Sequence, residues 1–159
     1  MIDIKVDLTT MVMIQTPDTK QVLVQNRKLK WPGYSFPGGK VEAGESFYDC
    51  AVREIQEETG LHIKNLESCG TVHWCNLETD DRYIVFLYKT KDYSGILIES
   101  SPEGSHFWCD VDVLLKMPGD KFSNDVLNYC RIFFEKEFNE VFLPWQPNEN
   151  GRAVTVEYK

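Results

Sequence analysis

The stretch Gly38–Leu61 reads GGKVEAGESFYDCAVREIQEETGL. It opens on a glycine turn, offers Ser46 as a helix N-cap with Asp49 three positions on, and reaches Gly60 where a helix would stop. The spacing therefore predicts a helix over Phe47–Thr59. At about 100° per residue, Phe47, Cys50, Ala51 and Ile55 share an apolar stripe, and Glu54, Glu57 and Glu58 fall inside or at the edge of that arc. A solvated charged face would lie around Val52 and Gln56 instead. Carboxylates three and four residues apart repel by roughly a few tenths of a kcal/mol per pair, and the single Arg53–Glu57 pairing leaves most of that charge unbalanced. A hard divalent cation offsets it, because Mg²⁺ prefers carboxylates together with substrate phosphates and water, and the segment contains no histidine. The other reading of the same geometry is an exposed acidic helix laced by salt bridges.

Outward from this helix, the chain of 159 residues is 42% hydrophobic and 26% charged, which predicts one soluble domain over 1–159. A net charge of -8 with no Lys/Arg-rich run argues against nucleic acid or an anionic membrane as partner, so a polyanionic ligand needs a metal or a local basic pocket. Cys50, Cys69, Cys75, Cys109 and Cys130 form no C-x-x-C pair and read as reduced, mostly buried thiols. No secretory leader pattern or membrane-length apolar run occurs, and a cytoplasmic protein is expected.

Leu8–Ile14 and Gln21–Gln25 are rich in β-formers and flank the turn Pro17-Asp18-Thr19-Lys20, which predicts a β-hairpin. The basic, aromatic segment Asn26–Lys40, punctuated by Pro32, Gly33 and Pro37, reads as a loop entering a tight turn. Further strands are expected at Glu67–Trp74, Arg82–Thr90 and His106–Cys109. A second helix is expected over Asn124–Phe138, and the tail after Asn139 carries no clear pattern.

From Gly39 the order is Gly, five residues, Glu45, seven residues, then Arg53-Glu54-Ile55-Gln56-Glu57-Glu58-Thr59-Gly60-Leu61. This order resembles the Nudix box at every defining position. The resemblance implies an α/β fold, an α/β/α sandwich around a mixed sheet, and hydrolysis of a nucleoside diphosphate linked to another group with Mg²⁺, or Mn²⁺, as cofactor. By position it implies Glu54, Glu57 and Glu58 as metal ligands with the Gly38 carbonyl beside them. Arg53 orients them, Glu45 supports them, and one glutamate acts as base, with the choice among them open.

Outside the box, the features most resemble MutT-type 8-oxo-dGTP diphosphatases, which release a nucleoside monophosphate and pyrophosphate and keep oxidised precursors out of DNA. Glu103 stands where such proteins place an additional metal-site acid. Asn124 precedes the last helix where they read a purine edge, and its amide both donates and accepts. Ser123 or Asn124 could equally cap that helix. Arg27, with Lys28, Lys30 and Lys40 near it, is a candidate phosphate contact, and one of Trp31, Tyr34 and Phe36 a candidate base platform. His62, His73 and His106 share no ligand spacing and are given no role. A small nucleotide is the expected partner. Two other readings stay open: hydrolysis of ADP-ribose, a nucleotide sugar or a dinucleoside polyphosphate, and a domain that binds a nucleotide without hydrolysing it.

Overall fold

The computed structural model describes residues 3–147 and 152–159. In chain order the elements are β1 (Val6–Ile14), β2 (Gln21–Arg27), β3 (Gly33–Ser35), β4 (Gly38–Lys40), α1 (Phe47–Thr59), β5 (Leu61–Lys64), β6 (Glu67–Asn76), β7 (Arg82–Thr90), β8 (Asp92–Gly95), β9 (Ser100–Ser101), β10 (Gly104–Asp110), α2 (Val111–Leu115), α3 (Val126–Tyr129), β11 (Glu140–Trp145) and β12 (Glu157–Tyr158). Single turns of 3₁₀ helix at Gly119–Lys121 and Cys130–Phe133 flank α3.

A six-stranded mixed sheet runs β12-β11-β6-β7-β1-β4, with β1 parallel to β7 and β6 parallel to β11. A four-stranded antiparallel sheet runs β3-β2-β10-β9, and β5 pairs with β8. Alternation along β1 explains the layering. Met11 and Met13 enter a core with Tyr129, Ile132 and Phe133, whereas Val12 and Ile14 enter a second core with Ala51 and Ile55 of α1. Helical layers thus cover both faces of the large sheet, giving the expected α/β/α sandwich.

Helix α1 forms over the residues its capping signals predict. Asp49 N–H donates to Ser46 Oγ at 3.0 Å, and Gly60 at φ 76° closes the helix by donating to Gln56 O at 3.0 Å. Three expectations are corrected. First, β1 and β2 meet only beside their turn, through the Gln15–Val22 bridge, and then enter different sheets. Both edges of β1 are taken by β4 and β7, so β2 pairs with β3 and β10 instead. Second, the helix expected over Asn124–Phe138 is only α3 followed by a 3₁₀ turn, a tightening that buries both Ile132 and Phe133. Third, the segment Asn26–Lys40 expected as a loop carries β3 and β4, while the unassigned tail after Asn139 supplies β11 and β12. No helix among the described residues is long and apolar enough to cross a membrane.

Candidate functional site

Arg53 is the hub of the acidic helix. Its Nε donates to Glu45 Oε1 at 2.7 Å and one terminal nitrogen to Glu45 Oε2 at 3.0 Å, a two-pronged pairing. The other terminal nitrogen reaches Glu54 Oε1 at 2.9 Å and Glu57 Oε2 at 3.2 Å. A further bond to the Lys40 carbonyl at 3.0 Å ties the helix to β4. The guanidinium, aided by the Glu42 N–H, holds the Glu45 carboxyl at about 2, and the carboxylates push the Arg53 pKa upward in return.

Glu58 has no such partner; its one stabilising contact is the Gly38 N–H, which donates to Oε2 at 3.3 Å. Burial, then a hydrogen bond and like charge from Glu103, push its carboxyl up to about 9. Glu54 is also raised, chiefly by burial, with Arg53 pulling the other way. Glu57 differs: its side chain is 60% exposed and lies outside the cleft that Glu54 and Glu58 line.

Glycines allow this close assembly. A Cβ on Gly39 would land on the Glu54 carboxylate, and one on Gly38 would strike the Thr10 carbonyl of β1. Glu103 reaches the acids from a hairpin between β9 and β10, where Gly104 packs so closely against Asn26 O that no side chain fits.

The cleft has a volume of about 730 Å³. Glu54, Glu58, Glu103, Gly38, Arg27 and Asn124 all line it, so the fold gathers most of the residues singled out in the sequence. Arg27 Nε donates to the Lys30 carbonyl at 3.1 Å, bracing the loop that carries Trp31. Lys30 and Lys40 also reach the cleft, the latter paired with Asp7 at 3.3 Å, while Lys28 is an exposed charge away from it. Of the three aromatic candidates, Trp31 faces the cleft at 37% exposure, with Tyr83 edge-on at 6.0 Å. Tyr34 packs on Phe107 and Phe122, and Phe36 on Phe133. Asn124 does not cap α3: it adopts φ 42°, and Asp125 occupies the cap position.

The sequence reading missed Trp74 and Tyr83, which line the cleft as cross-strand partners on β6 and β7, and Trp145 on β11. Trp74 and Tyr83 each lie two residues from buried Val72 or Val85 and so share its strand face, which was a usable signal; the strand register was not. Lys5 and Arg82 add positive charge to the cleft.

Oxygen atoms dominate the acid cluster, the donor set suited to Mg²⁺ or Mn²⁺. Among the described residues no three His, Cys, Asp or Glu side chains are already drawn around one metal-sized point. Arg53 engages Glu54 and Glu57, and the Glu58 carboxyl, pushed up chiefly by burial, keeps its proton. A buried carboxylate group that keeps a proton for want of a countercharge fits a cation, which would displace that proton.

The NUDIX domain family model matches residues 6–130. The uncharacterised Nudix hydrolase YvcI of Bacillus subtilis (strain 168) is 31% identical over 123 residues, 76% of this chain and 76% of its own. The oxidized purine nucleoside triphosphate hydrolase of Danio rerio is 28% identical over 156 residues, 96% of this chain and 92% of its own. The mutator MutT protein of Bacillus halodurans superposes with a TM-score of 0.75 at 24% identity over 96% of this chain and 97% of that one, a likeness of fold alone. By the family match over residues 6–130 and the YvcI relationship, this chain belongs to the Nudix hydrolase family.

Proposed function

We propose that the chain is a Mg²⁺-dependent nucleoside triphosphate pyrophosphohydrolase acting on oxidised purine nucleotides such as 8-oxo-dGTP. It would release a nucleoside monophosphate and pyrophosphate and serve in cytoplasmic nucleotide house-cleaning. The observation that carries this reading is one cleft lined both by the buried acids Glu54, Glu58 and Glu103 and by Trp31, Tyr83 and Asn124. The acids suit a metal-bound polyphosphate; the rings and the amide suit a purine. The near full-length relationship to the Danio rerio protein supports the same substrate class.

Glu54, Glu57 and Glu58, with Glu103 and the Gly38 carbonyl, would hold the cation, which when bound neutralises phosphate charge and acidifies water. Arg53 keeps Glu54 and Glu57 from splaying apart. A glutamate of this set takes the proton from the attacking water, since a carboxylate near the reacting atoms is the only base type in the cluster. Arg27 meets phosphate oxygens. Trp31 or Tyr83 stacks on the base, and the Asn124 amide donates to one edge atom and accepts from another.

The test is product analysis over undamaged and oxidised nucleoside triphosphates, ADP-ribose, nucleotide sugars and dinucleoside polyphosphates with Mg²⁺ or Mn²⁺. Preferred cleavage of 8-oxo-dGTP to monophosphate and pyrophosphate is expected. Preference for a diphosphate derivative would replace the substrate assignment, and binding without turnover would replace the enzymatic one.

A further inference from the structure

Gln25 and His106 face each other across β2 and β10, buried to 2% and 3% exposure. Neither belongs to the motif, and two polar side chains so deeply buried need partners. His106 Nδ1 lies 3.0 Å from the Ile98 carbonyl, which can only accept, so Nδ1 carries the ring proton. Burial lowers the imidazole pKa and keeps the ring neutral, leaving Nε2 as an acceptor. Nε2 lies 3.3 Å from the Gln25 side-chain nitrogen, which donates to it. The amide of Gln25 is therefore fixed in one orientation, with Oε1 turned away from His106.

Oε1 has no hydrogen-bond donor among the described residues. No buried side-chain oxygen there lacks a partner, so Oε1 opens onto the cleft that Gln25 lines with Glu58 and Glu103. The Ile98 segment that sets the ring is itself held by the end of the acidic helix, Ile98 N–H donating to Thr59 O at 2.8 Å. The orientation of Gln25 is thus referenced to α1.

We infer that Gln25 Oε1 holds the attacking water of the hydrolysis proposed above, and that His106 is a positioning residue fixing the amide face the water meets. A carboxamide oxygen accepts a hydrogen bond and adds no charge to a crowded acid cluster. It repels phosphate oxygens and takes an O–H donor. A water donating one proton to Gln25 Oε1 and the other to a glutamate turns a lone pair toward phosphorus. The new P–O bond forms from that oxygen, the bridging P–O bond breaks with its electron pair going to the departing phosphate, and the water proton passes to the glutamate.

The test uses Gln25→Leu and His106→Asn, the latter retaining a donor for the Ile98 carbonyl while losing the contact to Gln25. Each should lower kcat by about 10- to 100-fold with KM nearly unchanged, the range for residues that orient a reacting group. In the Gln25→Leu background, His106→Asn should add no further loss, because both act through one oxygen. Mn²⁺ binding to the nucleotide-free protein, followed by its paramagnetic resonance signal, should match the parent. Multiplying losses, or kcat within about twofold of the parent in Gln25→Leu, would overturn the inference. Weakened Mn²⁺ binding would make Gln25 a metal contact instead, and a loss seen with ribonucleotides but not deoxyribonucleotides would make its donor a sugar hydroxyl. If the parent cleaves another diphosphate, the same variants are measured on that substrate, so the substrate reading can fail while this one stands.

Discussion

Arg53 satisfies three carboxylates and a backbone carbonyl with one guanidinium, yet the acid it leaves alone, Glu58, is the most strongly perturbed carboxylate of the cleft. This division separates the acids that Arg53 holds from the one held only by the Gly38 N–H. Glu57 stands between the groups: bound to Arg53, exposed, and outside the cleft. Glu57→Gln should lower kcat by about a hundredfold or more at saturating Mg²⁺ if it ligates metal as its position in the motif implies. Steady-state rates within about threefold of the parent would reduce it to a partner of Arg53. At the base end, Asn124→Ala should shrink the kcat/KM preference for 8-oxo-dGTP over dGTP by about 1 to 3 kcal/mol of lost hydrogen bonding. Asn124 sits at φ 42°, which alanine tolerates less well than asparagine, so a modest fall in thermal midpoint is expected from the backbone alone; an unchanged preference would remove it from base reading.

At the scale of elements, helix α1 and strand β4 act as one unit, because Gly39 lets the Glu54 carboxylate lie on its backbone. Gly39→Ala should displace Glu54 and cost activity far more than stability, since β4 is short and its pairing to β1 needs no side chain there. Calorimetric Mg²⁺ titration together with the kcat of the variant checks this. Parent-like metal binding would show that Glu54 has room to move. The helix itself was legible in the sequence because its signals are local: cap, stripe and terminating glycine lie within one stretch. The hairpin expected from β1 and β2 failed because partner choice is not local. A turn can join two strands without pairing them when one has both edges occupied. The long helix expected before Phe138 failed for a related reason, since apolar spacing does not distinguish a helix from a shorter one tightened into 3₁₀ form.

For the whole molecule, the carboxyl shifts set a pH dependence of stability with a definite sign. In metal-free protein Glu58 keeps its proton to about 9 when folded, but loses it near the ordinary 4.5 when unfolded. The folded state then binds more protons across that window, so stability falls as pH rises through it. Glu45 acts oppositely: held at about 2, it stabilises above the ordinary value of 4.5, and this contribution is lost as pH falls toward 2. Thermal midpoints in EDTA should therefore decline as pH rises from about 4.5 to about 9, and Glu58→Gln should flatten that decline. Saturating Mg²⁺ should raise the midpoint more at about pH 8 than at about pH 6, with proton release on binding. Equal Mg²⁺ effects at both pH values would show that the cation binds without displacing the Glu58 proton.

Residue order alone carried the acidic helix, its caps, the family resemblance and Glu54, Glu58 and Glu103 among the acids of the cleft, because each rests on a short span or on one matched motif position. Strand pairing and burial decided which strands share a sheet, that Glu57 lies apart from Glu54 and Glu58, that Trp31 and not Tyr34 faces the cleft, and that Gln25 and His106 meet across β2 and β10. Those outcomes depend on strand register and on burial. A histidine with no ligand spacing and a glutamine in an apolar strand carry no signal until β2 and β10 are paired and the carbonyl of Ile98, whose N–H is tied to the end of α1, fixes the ring proton.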